Sequence, residues 1–463
     1  MAPIAVDRVT PAPIAALKSS AQASTSSVQF HVTSTPCPIA ESSSGLTFTL
    51  NDGRTVIDCM SGGAAVACLG SDNPDLVQVM ANQAAKMPYA YHQLLGNQPG
   101  EDLARFLIDR SEGNFAAAAF LNSGSEAMEA ALKMVRQFWL EVGQPKRQYV
   151  IARFPSYHGN TLGALAAGNV PGRRNLYSPY IPDAYKHVPS PTYKRSAFEG
   201  ETEEAYSERL ALELEAKILE LGPENVAAFF AEPVVGTALG VMPPPKGYFP
   251  AIDKVLKKYD ILLVMDEVMC GSGRSGTLFA WQSVAEGVRP DIQSMAKGLG
   301  AGYVTISSVL ANARVYNAIN NAGAWKNSHT YQNHPINCAV ALAVLKKMEK
   351  MDVYANVRLR GQQMVAELRE ALKDCKTVFD VRGQGLFIGI EFDLPKSLNP
   401  RFAARVKAST FQNGLMTLGM SGTIDGDNGE SLVLAPAYIV TAKEITQIVS
   451  IIAKSIKECE AAL

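Results

Sequence analysis

Neither sign of charge predominates in this sequence. Its 43 basic and 44 acidic side chains leave a formal net charge of −1, so neither a nucleic-acid surface nor a disordered acidic tail is expected. Cysteine is scarce. Cys37, Cys59, Cys68, Cys270, Cys338, Cys375 and Cys459 are odd in number, widely scattered and never spaced C-x-x-C, which argues against a disulfide framework and a structural zinc site and favours a reducing compartment. Long apolar runs are missing as well: Ala339 to Leu345 falls far short of the roughly 18 residues that a membrane-spanning helix requires. Residues 1–40 hold only Arg8 and Lys18 against Asp7, few basic groups for an organelle-import leader. The cytoplasm is therefore expected, with the mitochondrion as the alternative. What is present, 47% apolar and 19% charged residues in a chain of 463, is ordinary for a folded protein of two or three domains.

The first 44 residues are rich in Ser, Thr, Ala and Pro without a periodic apolar pattern, and read as a mobile arm or a subunit-wrapping strand. A strand-like TFTL then passes through the turn NDGR into TVIDCM, and PDLVQVMANQAAKM carries apolar residues at helical spacing. Between residues 116 and 297 the short apolar runs AAAAFL, YVIARF, VAAFFAEPV and ILLVMDEV recur between amphipathic helices. Runs that do not alternate suit strands buried on both faces, as in a parallel sheet covered by helices. The fold class expected is α/β: a large domain with a mostly parallel sheet flanked by helices, plus a smaller α+β domain. The acidic stretch GETEEAYSERLALELEAKILEL reads as a helix with a solvated face. Beyond about residue 335, two long helices, two strands around a Gly turn (TVFDVRGQGLFIGIEFD), a further helix and the Gly-rich loop GMSGTIDGDNGES follow. The expected division is an arm and part of the small domain over 1–70, the large domain over 71–335, and the remainder of the small domain over 336–463.

Three places carry chemistry. Asn122-Ser123-Gly124-Ser125 follows a buried strand and opens the helix EAMEAALKMVRQFW, so the first amide N–H groups and the helix dipole there suit a phosphate on Gly124 and Ser125. The alternative is that Ser125 only caps the helix. Asp266 and Glu267 end the apolar strand ILLVMDEV, and Glu232 ends FFAEPV about one β-α-β unit upstream. Carboxylates at such strand ends face the crevice where α/β proteins bind ligands and must meet a cation or a ring N–H. No His stands beside them and no Asp-x-Asp spacing occurs, so no metal is expected. Lys297 lies after another apolar stretch and directly before Gly298. In a partly desolvated pocket such a lysine loses proton affinity and becomes a nucleophile toward carbonyls. A phosphate cradle, a carboxylate for a pyridinium nitrogen and a lysine for a Schiff base are what pyridoxal 5′-phosphate requires. Tyr157, after YVIARF, supplies a ring that could stack on it, or is a core aromatic with its hydroxyl satisfied.

With those residues in place, the sequence resembles the class III (omega) aminotransferases of the fold type I pyridoxal phosphate enzymes. The resemblance runs from about Leu46 to the C-terminus through six ordered motifs: NSGSEAMEAALKMVR, YHGNTLGAL, EPVVG, DEVMCGSGRSG, AKGLGAGY and HTYQNHP. It implies that Gly124 and Ser125 bind phosphate, that Tyr157 packs on the ring and that Glu232 orders the pocket near Asp266. Asp266 would pair with the pyridine nitrogen and Lys297 would carry the internal aldimine. Thr330 would reach the phosphate of a neighbouring subunit, so a homodimer with shared active sites is implied. The implied activity is ping-pong transfer of an amino group from an amine, omega-amino acid or amino acid to a 2-oxo acid or other carbonyl acceptor. Racemases, aminomutases and a decarboxylase share the same residues, and a non-catalytic relative would keep the fold.

Two departures from the family pattern bear on substrate. Where the ornithine and acetylornithine type reads L-R-x-A-P-P-L, this sequence has Leu432-Val433-Leu434-Ala435-Pro436-Ala437-Tyr438, and no arginine follows Arg405. An α-carboxylate therefore lacks its usual bidentate partner, and an amine or omega-amino acid is the expected donor. Arg153, Lys326 or a partner-subunit group are the candidates to supply the missing charge. The second departure is Ser71, where the family usually has His. Met60, Tyr91 and Trp281 are either pocket residues or packing.

Overall fold

The computed structural model describes residues 37–463 except 396 and 399. Its centre is a seven-stranded sheet whose spatial order is Phe115–Leu121, Ser307–Asn312, Ile292–Met295, Leu262–Glu267, Val226–Ala231, Tyr149–Phe154 and Tyr185–Pro189. All neighbouring pairs are parallel except those of Ser307–Asn312, which runs antiparallel to both of its neighbours. Val226–Ala231 and Leu262–Glu267 are buried at every residue, which explains their unbroken apolar sequence. Successive side chains point to opposite faces. Ala228, Phe230, Leu262 and Val264 pack on one side against the helix Gly124–Glu141 through Ala127, Ala131 and Phe138. Phe229, Ala231, Leu263 and Met265 pack on the other, where the helix Glu203–Leu221 contributes Tyr206, Leu210, Leu214 and Ile218. The acidic residues of that helix face outward, as expected.

A four-stranded antiparallel sheet is built from Val378–Gln384, Phe387–Phe392, Glu430–Leu434 and Leu418–Ser421. The Gly-rich segment expected to be all loop is thus partly a strand. Leu418 and Met420 pack with Val433, and Gly419 permits close approach to the Ala403 carbonyl, which an added Cβ would meet at 2.6 Å. The C-terminal helix Ala442–Ala461, which the sequence pattern does not single out, starts at Thr441 with a reciprocal capping box to Glu444.

The other four-stranded sheet joins segments far apart in the sequence. Ala40–Ser44, Thr47–Leu50 and Thr55–Asp58 form an antiparallel meander, and Leu415–Met416 adds to Thr55–Asp58 in parallel. The arm expected over the first 44 residues lies largely outside the described residues, but its last five form an edge strand. Among the described residues no helix is long and apolar enough to cross a membrane.

Candidate active site

The carboxyl ends of the central strands share one edge of the sheet, and the site is assembled there. It surrounds a cavity of about 660 Å³ lined by Gly124, Ser125, Tyr157, Glu232, Asp266 and Lys297, together with residues of the 302–306 loop. Six of the seven expected site residues therefore converge. Thr330 does not: it is exposed, outside the cavity wall, and its carbonyl accepts a hydrogen bond from the Tyr89 hydroxyl at 2.8 Å.

Lys297 follows the strand Ile292–Met295 and begins the short turn Lys297–Leu299 with φ +47°. A left-handed backbone at a non-glycine residue is strained and is held only where the surroundings impose it. Burial pushes the Lys297 ammonium below the usual lysine value, Asp266, Glu232 and Cys270 oppose that fall, and Arg173 adds to it. The outcome is an amine that loses its proton more readily than a free lysine.

Asp266 is 4% exposed. One carboxylate oxygen accepts the Val268 amide at 3.0 Å and the Ser294 hydroxyl at 3.3 Å, and the other lies 2.8 Å from His158 Nδ1. His158 is the residue that sequence reasoning misses. Its only signal is its place in Tyr157-His158-Gly159, whereas its role depends on packing between separate strands. The imidazole is 2% exposed, stands edge-on to Phe230 and leaves Nε2 without a partner among the described residues. It orients the carboxylate from behind.

Glu232 accepts the backbone N–H groups of Tyr157 at 3.2 Å and Gly236 at 2.8 Å, so it fixes the segment that carries the aromatic ring. Burial raises its carboxyl above the ordinary range; the nearby His158 opposes this and Asp266 adds to it. Glu267, beside Asp266, points away from the cavity and accepts the amides of Ala280 and Trp281. Burial pushes it up to about 8, and its role is to anchor that chain segment.

Also on the cavity wall, the helix Gly124–Glu141 is capped by Ser123, whose hydroxyl accepts the Glu126 amide at 3.2 Å. The reading of Ser125 as the cap is corrected: the helix begins earlier, and the Ser125 hydroxyl instead accepts the Asn160 amide at 3.0 Å. The amides of Gly124 and Ser125 have no acceptor among the described residues, as the first turn of a helix dictates. A Cβ on Gly124 would stand 2.6 Å from Val268 Cγ1. Gly124→Ala is therefore expected to cost about 1–3 kcal/mol of stability by overpacking and to weaken binding of any phosphate at these amides. Thermal unfolding and inorganic-phosphate titration of the variant check both.

Arg153 and Lys326 do not supply charge to the cavity. Arg153 is fully buried and donates to the Glu232 carbonyl, and Lys326 is exposed outside the wall. Met60 is buried among Phe387, Val433 and Met269, and Trp281 donates to the Gln293 side chain at 2.8 Å. Neither lines the cavity, and Tyr91 does not either. Ser71 is tied to Ser43 at 2.7 Å, away from the cavity wall. The wall does contain an arginine that the sequence does not single out, Arg173.

The sequence profile of the class-III aminotransferases matches residues 29–456. An aminotransferase of Schizosaccharomyces pombe is 40% identical over 92% of this chain and 94% of its own length. The chloroplastic gamma aminobutyrate transaminase 3 of Solanum lycopersicum is 35% identical over 92% of this chain and 81% of its own. Among solved structures, the omega transaminase from Pseudomonas jessenii in complex with PMP superposes with a TM-score of 0.85 at 32% identity, covering 91% of this chain and 93% of that one.

Proposed function

The chain belongs to the class III aminotransferases, a pyridoxal phosphate-dependent family, and we propose that it holds pyridoxal 5′-phosphate in this cavity and transfers the amino group of an amine or omega-amino acid to a 2-oxo acid or other carbonyl acceptor. The observation that carries the assignment is the donor set facing one cavity: two amides without acceptors at Gly124 and Ser125, the oriented carboxylate of Asp266 and the amine of Lys297. That set fits the cofactor. The amides match a phosphate at a helix N-terminus, Asp266 matches a protonated ring nitrogen, and Tyr157 and Val268 offer faces for a flat ring. When bound, the cofactor supplies an electrophilic carbonyl and a ring that accepts electron density from the carbon bearing the amine.

The protein's own groups do the remaining work. Lys297 Nζ, whose hold on its proton burial weakens, would take the proton leaving the amine-bearing carbon and, within the same half-reaction, hand it to the carbon through which the cofactor would hold that amine. Asp266, held by His158, Val268 and Ser294, would present its carboxylate to the ring N–H. Glu232 secures the backbone of Tyr157, so that the ring closes one face against water.

Residues 71–335 form the cofactor-binding domain in this reading, with 1–70 and 336–463 contributing the smaller one. The pairing of Thr55–Asp58 with Leu415–Met416 supports that division. The functional unit is a homodimer: Thr330 is exposed outside its own cavity, Tyr331, Leu94 and Leu95 are also exposed at 58%, 80% and 65%, and the Thr330 hydroxyl would serve the phosphate site of a second copy.

Apolar lining from Ala64, Val66, Met269, Ile306 and Leu418, with no arginine from the C-terminal segment, supports amines and omega-amino acids over α-amino acids. The name of the tomato relative points the same way. A half-reaction screen tests this by following the cofactor absorbance of the holoenzyme against amines, omega-amino acids and α-amino acids. Amines and omega-amino acids are expected to react fastest. Reaction confined to simple α-amino acids would overturn the substrate class, and no spectral change with any donor would overturn the activity.

A further inference from the structure

We infer that Arg173 receives the carboxylate of the substrate, doing from the cofactor domain what the C-terminal segment of this chain has no arginine to do. The inference rests on the assignment of the cavity as the transamination site. Arg173 sits in the four-residue helical turn Pro171–Arg174, on the cavity wall, with its guanidinium carbon 4.9 Å from the centre of the Tyr157 ring. Contact with an aromatic face leaves the edge of a guanidinium, with its forked N–H groups, open to an anion.

Its lack of other partners is the second observation. Among the described residues the Arg173 side chain has no ion pair and no hydrogen bond. By contrast Arg147 donates to the Val226 carbonyl, Arg274 to that of Leu386 and Arg382 to that of Val241. Those arginines are structural. Arg173 is exposed toward the cavity with its donors uncommitted.

The charge layout supplies the third. Asp266 and Glu232 make one part of the wall anionic, Lys297 must stay free for proton transfer, and among the described residues Arg173 is the one other lysine or arginine lining the cavity. A carboxylate entering this space is repelled by the two acids and has a single fixed cation to meet. Arg173 and Lys297 line the same cavity, and the charge of the first disfavours the ammonium of the second. A planar carboxylate and a guanidinium fork match with two parallel hydrogen bonds.

The turn is braced from the other domain. Gly426 has φ +89°, and a Cβ there would overlap Pro171, the first residue of the turn. The Gly-rich loop that carries no arginine of its own thus packs against the turn that does.

The test compares Arg173→Gln and Arg173→Lys holoenzymes with the unsubstituted enzyme on three probes: pyruvate as acceptor, 4-aminobutyrate as donor and benzylamine as a donor without a carboxylate. The Gln variant is expected to lose about 10- to 100-fold in kcat/KM for pyruvate and 4-aminobutyrate, chiefly through KM, as loss of a charge-assisted hydrogen bond predicts. Its loss on benzylamine should be at least tenfold smaller, and Lys should restore part of the carboxylate-specific loss. Equal losses on all three probes, or none on the two carboxylates, would overturn the proposal. So would cofactor dissociating more readily from the Gln variant, which would assign Arg173 to the phosphate instead. Failure of the unsubstituted enzyme to react with any amine would count against the activity itself, a separate outcome.

Discussion

Lys297→Ala is expected to lower turnover by at least about 10⁴-fold, because it removes both the nucleophile and the proton carrier from one position. It should also abolish the visible absorbance that pyridoxal phosphate shows when joined to a lysine. Loss of activity through misfolding is separable, since residue 297 has φ +47° and alanine bears the same backbone strain as lysine there. Circular dichroism of the cofactor-free forms should overlay. The pH profile of the unsubstituted enzyme gives an independent check. Burial lowers the affinity of Lys297 for its proton, so at any pH below the usual lysine value a larger fraction is uncharged than for a free side chain. Cofactor capture by the apoenzyme, which needs the uncharged amine, should rise with pH and reach its midpoint below that value. A variant that transaminates at the original rate would refute the assignment of Lys297.

Asp266→Asn is expected to reduce turnover by about 10²- to 10³-fold, the range for removing a preorganised electrostatic partner from a water-poor site. The substitution conserves volume, and an amide oxygen can still accept from Val268 or Ser294. What it deletes is the charge opposite the ring nitrogen. It also deletes an anion that raises the proton affinity of Lys297. The midpoint for cofactor capture should therefore move to still lower pH in this variant, a change that a purely structural role for Asp266 would not produce. A loss of turnover within about fivefold, with the capture profile unmoved, would show that Asp266 only packs.

The strands that hold these groups were legible because burial on both faces leaves unbroken apolar runs, as in VAAFFA and LLVMDE, and their carboxyl ends are where an acid or a lysine stands out. Ala40–Ser44 was not legible as a strand. It lies at a sheet edge with all but one of its residues exposed, so nothing in its sequence records a buried face. The helix cap was misplaced between Ser125 and Ser123 because both are good caps and only the backbone decides which hydroxyl meets the third amide. His158 and Arg173 belong to another category. The first acquires meaning from an aspartate on a different strand, and the second lies in a short turn outside any periodic pattern, brought to the cavity by packing against the helix Leu162–Ala167 and the Gly426 loop rather than by local preference.

The pairing of Thr55–Asp58 with Leu415–Met416 also has a consequence for synthesis of the chain. A ribosome delivers the first of these strands long before the second, so the parallel partner of Thr55–Asp58 is missing while the whole central sheet is being made. The same delay holds for the Cys59 carbonyl, which accepts the Ala435 amide, and for the Cys68 carbonyl, which accepts that of Tyr438. Non-local pairing of this kind slows folding and leaves strand edges open meanwhile. The nascent chain should thus gain protease resistance around residues 55–70 only once residues 415–438 have emerged, long after the segments of the central sheet, and truncation before residue 415 should leave that segment open to cleavage.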